Sequence, residues 1–149
     1  MIEVRPGYLS VVKARAVEYA RTSGALLIPF DPLPETFAAL RDATVETGLE
    51  PTEVWCASGS GVIVRGLSLG WTSAVFHVVR VGAEMAPADL PRGAIVYPSG
   101  YSYETAVPRT TPFPADPHYE SKAWLVMLAE LRRRPRDVVF WNVARPAAP

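Results

Sequence analysis

The stretch Glu53-Val-Trp-Cys-Ala-Ser-Gly-Ser-Gly-Val-Ile-Val-Arg65 constrains this chain more than any other. Val54, Trp55, Cys56 and Ala57 form a short apolar run suited to a strand buried on both faces. Ser58, Gly59, Ser60 and Gly61 follow with no bulky side chain, and helical spacing resumes over 62–69. A strand that enters a helix through such a turn leaves backbone N–H groups at the positive end of the helix dipole. That arrangement suits a phosphate or a carboxylate. The competing reading is a tight turn whose glycines serve close packing. The loop is not a Walker loop, because no Gly-Lys-Ser/Thr follows, and it lacks the full Gly-x-Gly-x-x-Gly dinucleotide pattern.

Elements with the right periods flank this unit. Tyr8, Val12, Ala16 and Tyr19 recur at helical spacing, and Gly24 ends that helix. The run from Ala25 to Pro29 reads as a strand. Pro34 can open the next helix, whose Phe37, Leu40 and Val45 are expected to face the core, with Gly48 closing it. Ala74 to Val81 is the clearest strand in the chain, bounded by Gly82. Residues 84–92 read as a loop, Ala94 to Tyr97 as a short strand, and Tyr101 to Val107 as a further edge strand. Pro108, Pro112, Pro114 and Pro117 exclude regular structure between them. A last helix is expected over 118–134, with Trp124, Met127, Leu128 and Leu131 along one face. A final strand spans Asp137 to Asn142, and 144–149 forms a frayed tail. Helices alternating with strands predict one α/β domain over 1–149, a three-layer, Rossmann-like sandwich with a mainly parallel sheet.

Composition narrows the function classes. Fifteen basic residues balance fifteen acidic ones, which argues against a nucleic-acid or membrane-surface binder. No apolar run approaches the roughly 20 residues of a membrane span, and the N-terminus lacks a signal peptide's apolar stretch. Cys56 is the single cysteine, so no internal disulfide forms, and a cytoplasmic protein is expected. One Cys with separated His77 and His118 matches no zinc spacing, so no metal is expected. Four Trp and six Tyr leave room for a homo-oligomer interface.

The candidate site residues lie where open α/β sheets bind ligands, outside the carboxyl ends of strands. Ser58, Gly59, Ser60 and Gly61 are the anion loop, and Arg65 in the helix beyond is a candidate anion partner. Lys122 sits in the first turn of the last helix, where the dipole disfavours an ammonium and so helps supply the neutral amine of Schiff-base chemistry. It lies opposite the Trp124 stripe, so a solvated lysine is the competing reading. Tyr119 and His118 could move protons or stack on a flat ring; the alternative is capping by Asp116 and ordinary packing. Asn142 ends the last strand and can reach the same crevice. The Arg132-Arg-Arg-Pro-Arg136 cluster sits at a helix C-terminus, where cations are favoured without any ligand.

Two pieces resemble one family. Val54-Trp-Cys-Ala-Ser-Gly-Ser-Gly-Val-Ile63, with its lead-in Gly24-Ala-Leu-Leu-Ile-Pro-Phe30, looks like the strand and phosphate loop of pyridoxal-phosphate enzymes of fold type II, the tryptophan synthase β-like group. Pro117-His-Tyr-Glu-Ser-Lys-Ala-Trp124 is similar to that group's Schiff-base lysine segment, and Val138 to Asn142 to the following strand with its Asn near the cofactor hydroxyl. The lysine segment follows the loop here, the reverse of the usual order, which implies a permuted or rebuilt form. Short bacteriophage proteins of pyridoxal-phosphate-dependent lyase-like type look similar over much of the chain. The resemblance implies a lyase or transferase acting on an amino-acid-like small molecule. Pyridoxal phosphate would be held by Ser58 to Gly61, Lys122 would carry it, Tyr119 would assist proton transfer and Asn142 would contact its ring hydroxyl. The rival reading is a non-catalytic module binding a phosphorylated small molecule or nucleotide, or a subunit of a larger assembly. A phosphoribosyltransferase-type protein ranks below both, because no acidic pair precedes the glycine loop.

Overall fold

A computed structural model describes residues 9–28, 32–82, 84–108, 111–134 and 136–143. Two compact units divide the chain at Leu33. The first holds one helix, α1 (Leu9–Ser23), ended by Gly24 in a left-handed conformation at φ 69°. Its apolar positions Val12 and Tyr19 are exposed. Residues 24–28 form no strand, and Leu26 and Ile28 stand 92% and 75% exposed. The strand expected over Ala25 to Pro29 is therefore corrected, as far as its described residues go. An apolar β-prone run becomes a strand only where a neighbour accepts its ladder, and among the described residues none pairs with it.

The second unit carries α2 (Pro34–Glu46), β1 (Glu53–Ser58), α3 (Val62–Gly70), β2 (Val75–Arg80), β3 (Ile95–Pro98), α4 (Glu120–Arg133) and β4 (Val139–Trp141). The sheet runs β3-β2-β1-β4, every pair parallel, as alternating helices and strands predict. Register pairs Glu53 with Val75 and Val54 with Val139, so β1 lies at the centre. Period-two alternation sends Val54, Cys56, Phe76 and Val78 to one face, where Val64 and Leu67 of α3 cover them. Trp55, Ala57 and Val79 go to the other face, under Ala123 and Met127 of α4. This is a three-layer α/β sandwich. The strand expected over Tyr101 to Val107 is absent: Thr105 N–H donates to the Ser102 carbonyl and closes a turn instead. In α2 the buried residue is Thr44 and not Val45, which is 68% exposed, because Thr44 is the one that meets α3.

The α4 face also buries a titratable group that sequence reasoning did not single out. His77 is 3% exposed, stacked flat on Trp55 at 4.5 Å between centroids. Its Nδ1 lies 3.1 Å from the Tyr97 hydroxyl, and Nε2 is 2.9 Å from Glu53 Oε2, an ion-pair distance without hydrogen-bond alignment. Arg136 Nε donates to the same Glu53 oxygen. Burial pulls the imidazole below its ordinary 6.5, opposed by Glu53 and reinforced by Arg136. The unfolded chain therefore takes up the proton first as pH falls. Stability is complete above about pH 6.5 and declines as pH drops through the window between the ordinary and the lowered value. Urea midpoints at pH 7.5 and 5.5 should show this decline, and His77→Asn should flatten it. An unchanged slope in that variant would assign the pH dependence to other groups.

Candidate functional site

In the strand order, β1 is followed by β2 and β3 on one side, and β4 returns on the other. The order therefore reverses between β1 and β4, which is where open α/β sheets form a crevice at their carboxyl ends. The glycine loop leaves β1 at that point and Asn142 follows β4.

The four loop residues differ in what they can offer. The Ser58 hydroxyl is buried and accepts from the Gly61 N–H at 3.1 Å, so it fixes the loop's shape. Gly61 takes φ 82°, a left-handed conformation glycine tolerates, at the N-cap of α3, where no side chain caps the helix. A Cβ there would lie 2.8 Å from both Cβ and the carbonyl oxygen of Asp89. A Cβ on Gly59 would lie 2.9 Å from the Tyr119 hydroxyl and 3.2 Å from the Val81 carbonyl. Gly61 is therefore required by its conformation and by close approach, while at Gly59 a methyl group would have to shift the Tyr119 hydroxyl and crowd the Val81 carbonyl. Ser60 is exposed at the tip and is the most open of the four.

Lys122 is buried, not solvated. Its Nζ donates to the carbonyls of Ser102 at 2.8 Å and Tyr103 at 3.0 Å, and lies 6.0 Å from the Tyr103 ring centroid. An amine held this way ties the 102–105 turn to α4 and is not presented as a nucleophile. Tyr119 stands between the two candidate groups: its hydroxyl meets Gly59, while its carbonyl accepts the Lys122 N–H at 3.2 Å. Burial pushes the Tyr119 phenol up to about 12, helped by Glu120 and opposed by hydrogen bonding from the Gly59 backbone. It stays protonated at neutral pH, which suits a hydrogen-bonding group better than a base. Asp116 holds the entry to α4, its Oδ1 accepting the His118 N–H at 2.7 Å and its carbonyl the Ser121 N–H at 3.0 Å. The side-chain bond is a turn ahead of the helix: the N-cap of α4 is Tyr119 and no side chain caps it, so the capping by Asp116 weighed from the sequence is corrected. His118 is exposed, and with Tyr103, Glu104, Asp116 and Tyr119 it lines an open depression of about 540 Å³.

Two expected contributors are committed elsewhere. Arg65 pairs with Asp89 at 3.3 Å and lies over the Phe37 ring at 4.8 Å. Exposed Asn142 donates to the Pro114 carbonyl at 2.8 Å. Burial also pushes the Cys56 thiol up to about 12, which leaves it an inert core residue. Asp89 and Tyr103 were not foreseen. Asp89 ends a single 3₁₀ turn, Pro87–Asp89, and Tyr103 sits on an irregular segment, so neither has a sequence period to say what it approaches. Among the described residues no cluster of ligating side chains could hold a metal, and no helix is long and apolar enough to cross a membrane.

The fold defines a class, the Rossmann-like α/β sandwich with a parallel sheet. Within it, the solved structure of an "ACC deaminase homologue" is similar to this chain at a TM-score of 0.67 and 17% identity, covering 94% of this chain and 56% of that one. The likeness is one of fold, and the chain spans little more than half the length of that structure. No protein-family model matches the chain, and no curated protein sequence does.

Proposed function

We propose that this chain binds a phosphorylated small molecule, pyridoxal phosphate foremost, with the phosphate in the Ser58–Gly61 loop. The observation that carries the reading is the convergence of that loop, Tyr119 and the first turn of α4 at the reversal point of a parallel sheet. The phosphate end of the cofactor fits: an uncapped helix start, the glycine backbone and exposed Ser60 offer donors to an oxyanion, while Ser58 holds the loop's shape. The resemblance to fold type II enzymes and the likeness to the ACC deaminase homologue support the same cofactor.

The aldehyde end fits less well. Lys122 would have to release both carbonyls before its amine could carry anything. Bound pyridoxal phosphate supplies an electron sink for lyase or transfer chemistry on an amino-acid-like substrate. The chain's own part is to seat the phosphate in the loop against which the neutral Tyr119 phenol lies. The engagement of Lys122 specifically favours the second reading, a non-catalytic binding module or a subunit of a larger assembly.

Titration with pyridoxal phosphate and with pyridoxal, followed by borohydride reduction and peptide mapping, tests both. Phosphate-dependent binding with label on Lys122 supports the enzymatic form. Phosphate-dependent binding without that label selects the module. Equal binding of the two compounds, or none, removes the loop from the account.

A further inference from the structure

We propose that the Tyr119 hydroxyl is the glycine loop's resident ligand, and that an incoming phosphate takes its seat at Gly59 and displaces the phenol. The inference rests on the loop being a phosphate site, and concerns how that site is regulated. The phenol oxygen lies 2.9 Å from where a Gly59 Cβ would stand, so it occupies the space directly against the loop backbone. An oxyanion that approached the same backbone would need the same volume.

Charge decides which of the two wins. The phenol is neutral, and the loop leads into the uncapped, positive end of α3. Bonds from N–H groups to an ionised acceptor are about twice as strong as bonds to a neutral one. The exchange therefore runs toward the anion once it is present, and the phenol holds the loop closed when it is not.

Displacement also decides the shape of the ligand. Tyr119 forms part of the wall of the depression shared with Tyr103, Glu104, Asp116 and His118. The same ring carries the hydroxyl that lies against Gly59, so a ring that moves would join the two spaces. A phosphate monoester fits the joined space, with its phosphate at the loop and its body beside Tyr103. Free phosphate fills only the first part.

The test is calorimetric titration of the full chain with inorganic phosphate, in the native protein and in Tyr119→Phe. Removal of the competing hydroxyl should tighten phosphate binding about 5-fold, the size of one net hydrogen bond. In the native protein, bound phosphate should produce a tyrosine difference spectrum that the variant lacks. Binding that is unchanged or weaker in the variant overturns the inference and leaves the loop as a phosphate site with a tyrosine that assists it. A native protein that takes up no phosphate overturns the site itself. If the variant fails to fold, the native difference spectrum decides alone, and bound phosphate without a tyrosine signal counts against displacement.

Discussion

Replacing Lys122 with methionine is expected to destabilise the protein by about 2–4 kcal/mol, far more than a surface lysine would. Methionine preserves much of the stem's packing but donates nothing, so the Ser102 and Tyr103 carbonyls lose their shared cation. Each buried acceptor left unpaired costs about 1–3 kcal/mol. Ser102 and Tyr103 are exposed residues, so water recovers part of that loss, and removal of a buried ammonium returns some desolvation cost. The remainder is still a large share of a domain's usual stability. Urea denaturation of the variant measures it. A midpoint equal to the native one would mean that Lys122 is free in solution and that its two carbonyl contacts do not hold. The same reasoning bears on function. Lys122→Met should loosen the turn that carries Tyr103, so lost cofactor binding in this variant would not identify a covalent lysine, whereas the borohydride label would.

The legible part of this molecule is the part where side-chain period and backbone pairing agree. β1, its glycine loop and α3 could be read because Val54–Ala57 switches from a two-faced apolar run to helical spacing across four small residues. β2 was legible for the same reason, and the parallel sheet followed from alternation of element types. Ala25 to Ile28 has the same apolar character, but a strand is defined by its neighbour, and sequence does not name the neighbour. Tyr101 to Val107 failed differently: aromatic and β-branched residues gave it strand propensity, while the turn at Ser102 and the reach of Lys122 decided its path. The site was half legible. The Tyr119–Lys122 segment does come to the loop through Tyr119, as its position at a helix start suggested. The direction in which Lys122 points, the pairing of Arg65 with Asp89 and that of Asn142 with Pro114 depend on loops of irregular path. Helical angle placed Lys122 on the face opposite the Trp124 stripe, yet that face is covered as well, by a turn with no period to read.

A Gly70→Ala variant is expected to show the largest loss of stability of any single methyl addition, about 3 kcal/mol or more. A Cβ at Gly70 would lie 1.6 Å from Thr44 Oγ1 and 3.1 Å from the Arg41 carbonyl. Thr44 cannot easily turn away. It is 1% exposed, and its hydroxyl donates to that same Arg41 carbonyl at 2.6 Å. A methyl group must therefore either push α2 from α3 or break the threonine's bond and leave a buried hydroxyl unpaired. Alanine's better helix propensity returns about 1 kcal/mol at most, and less at the last residue of α3, where helical constraint is weakest. The double variant Gly70→Ala, Thr44→Ala provides the decisive comparison. Removing the hydroxyl relieves the 1.6 Å contact and leaves the Cβ of residue 44 at 2.9 Å, so the pair should recover part of the loss and be more stable than Gly70→Ala alone despite carrying two changes. If the losses simply add, α2 and α3 are not in contact at this point, and the close approach that Gly70 allows is not what joins them.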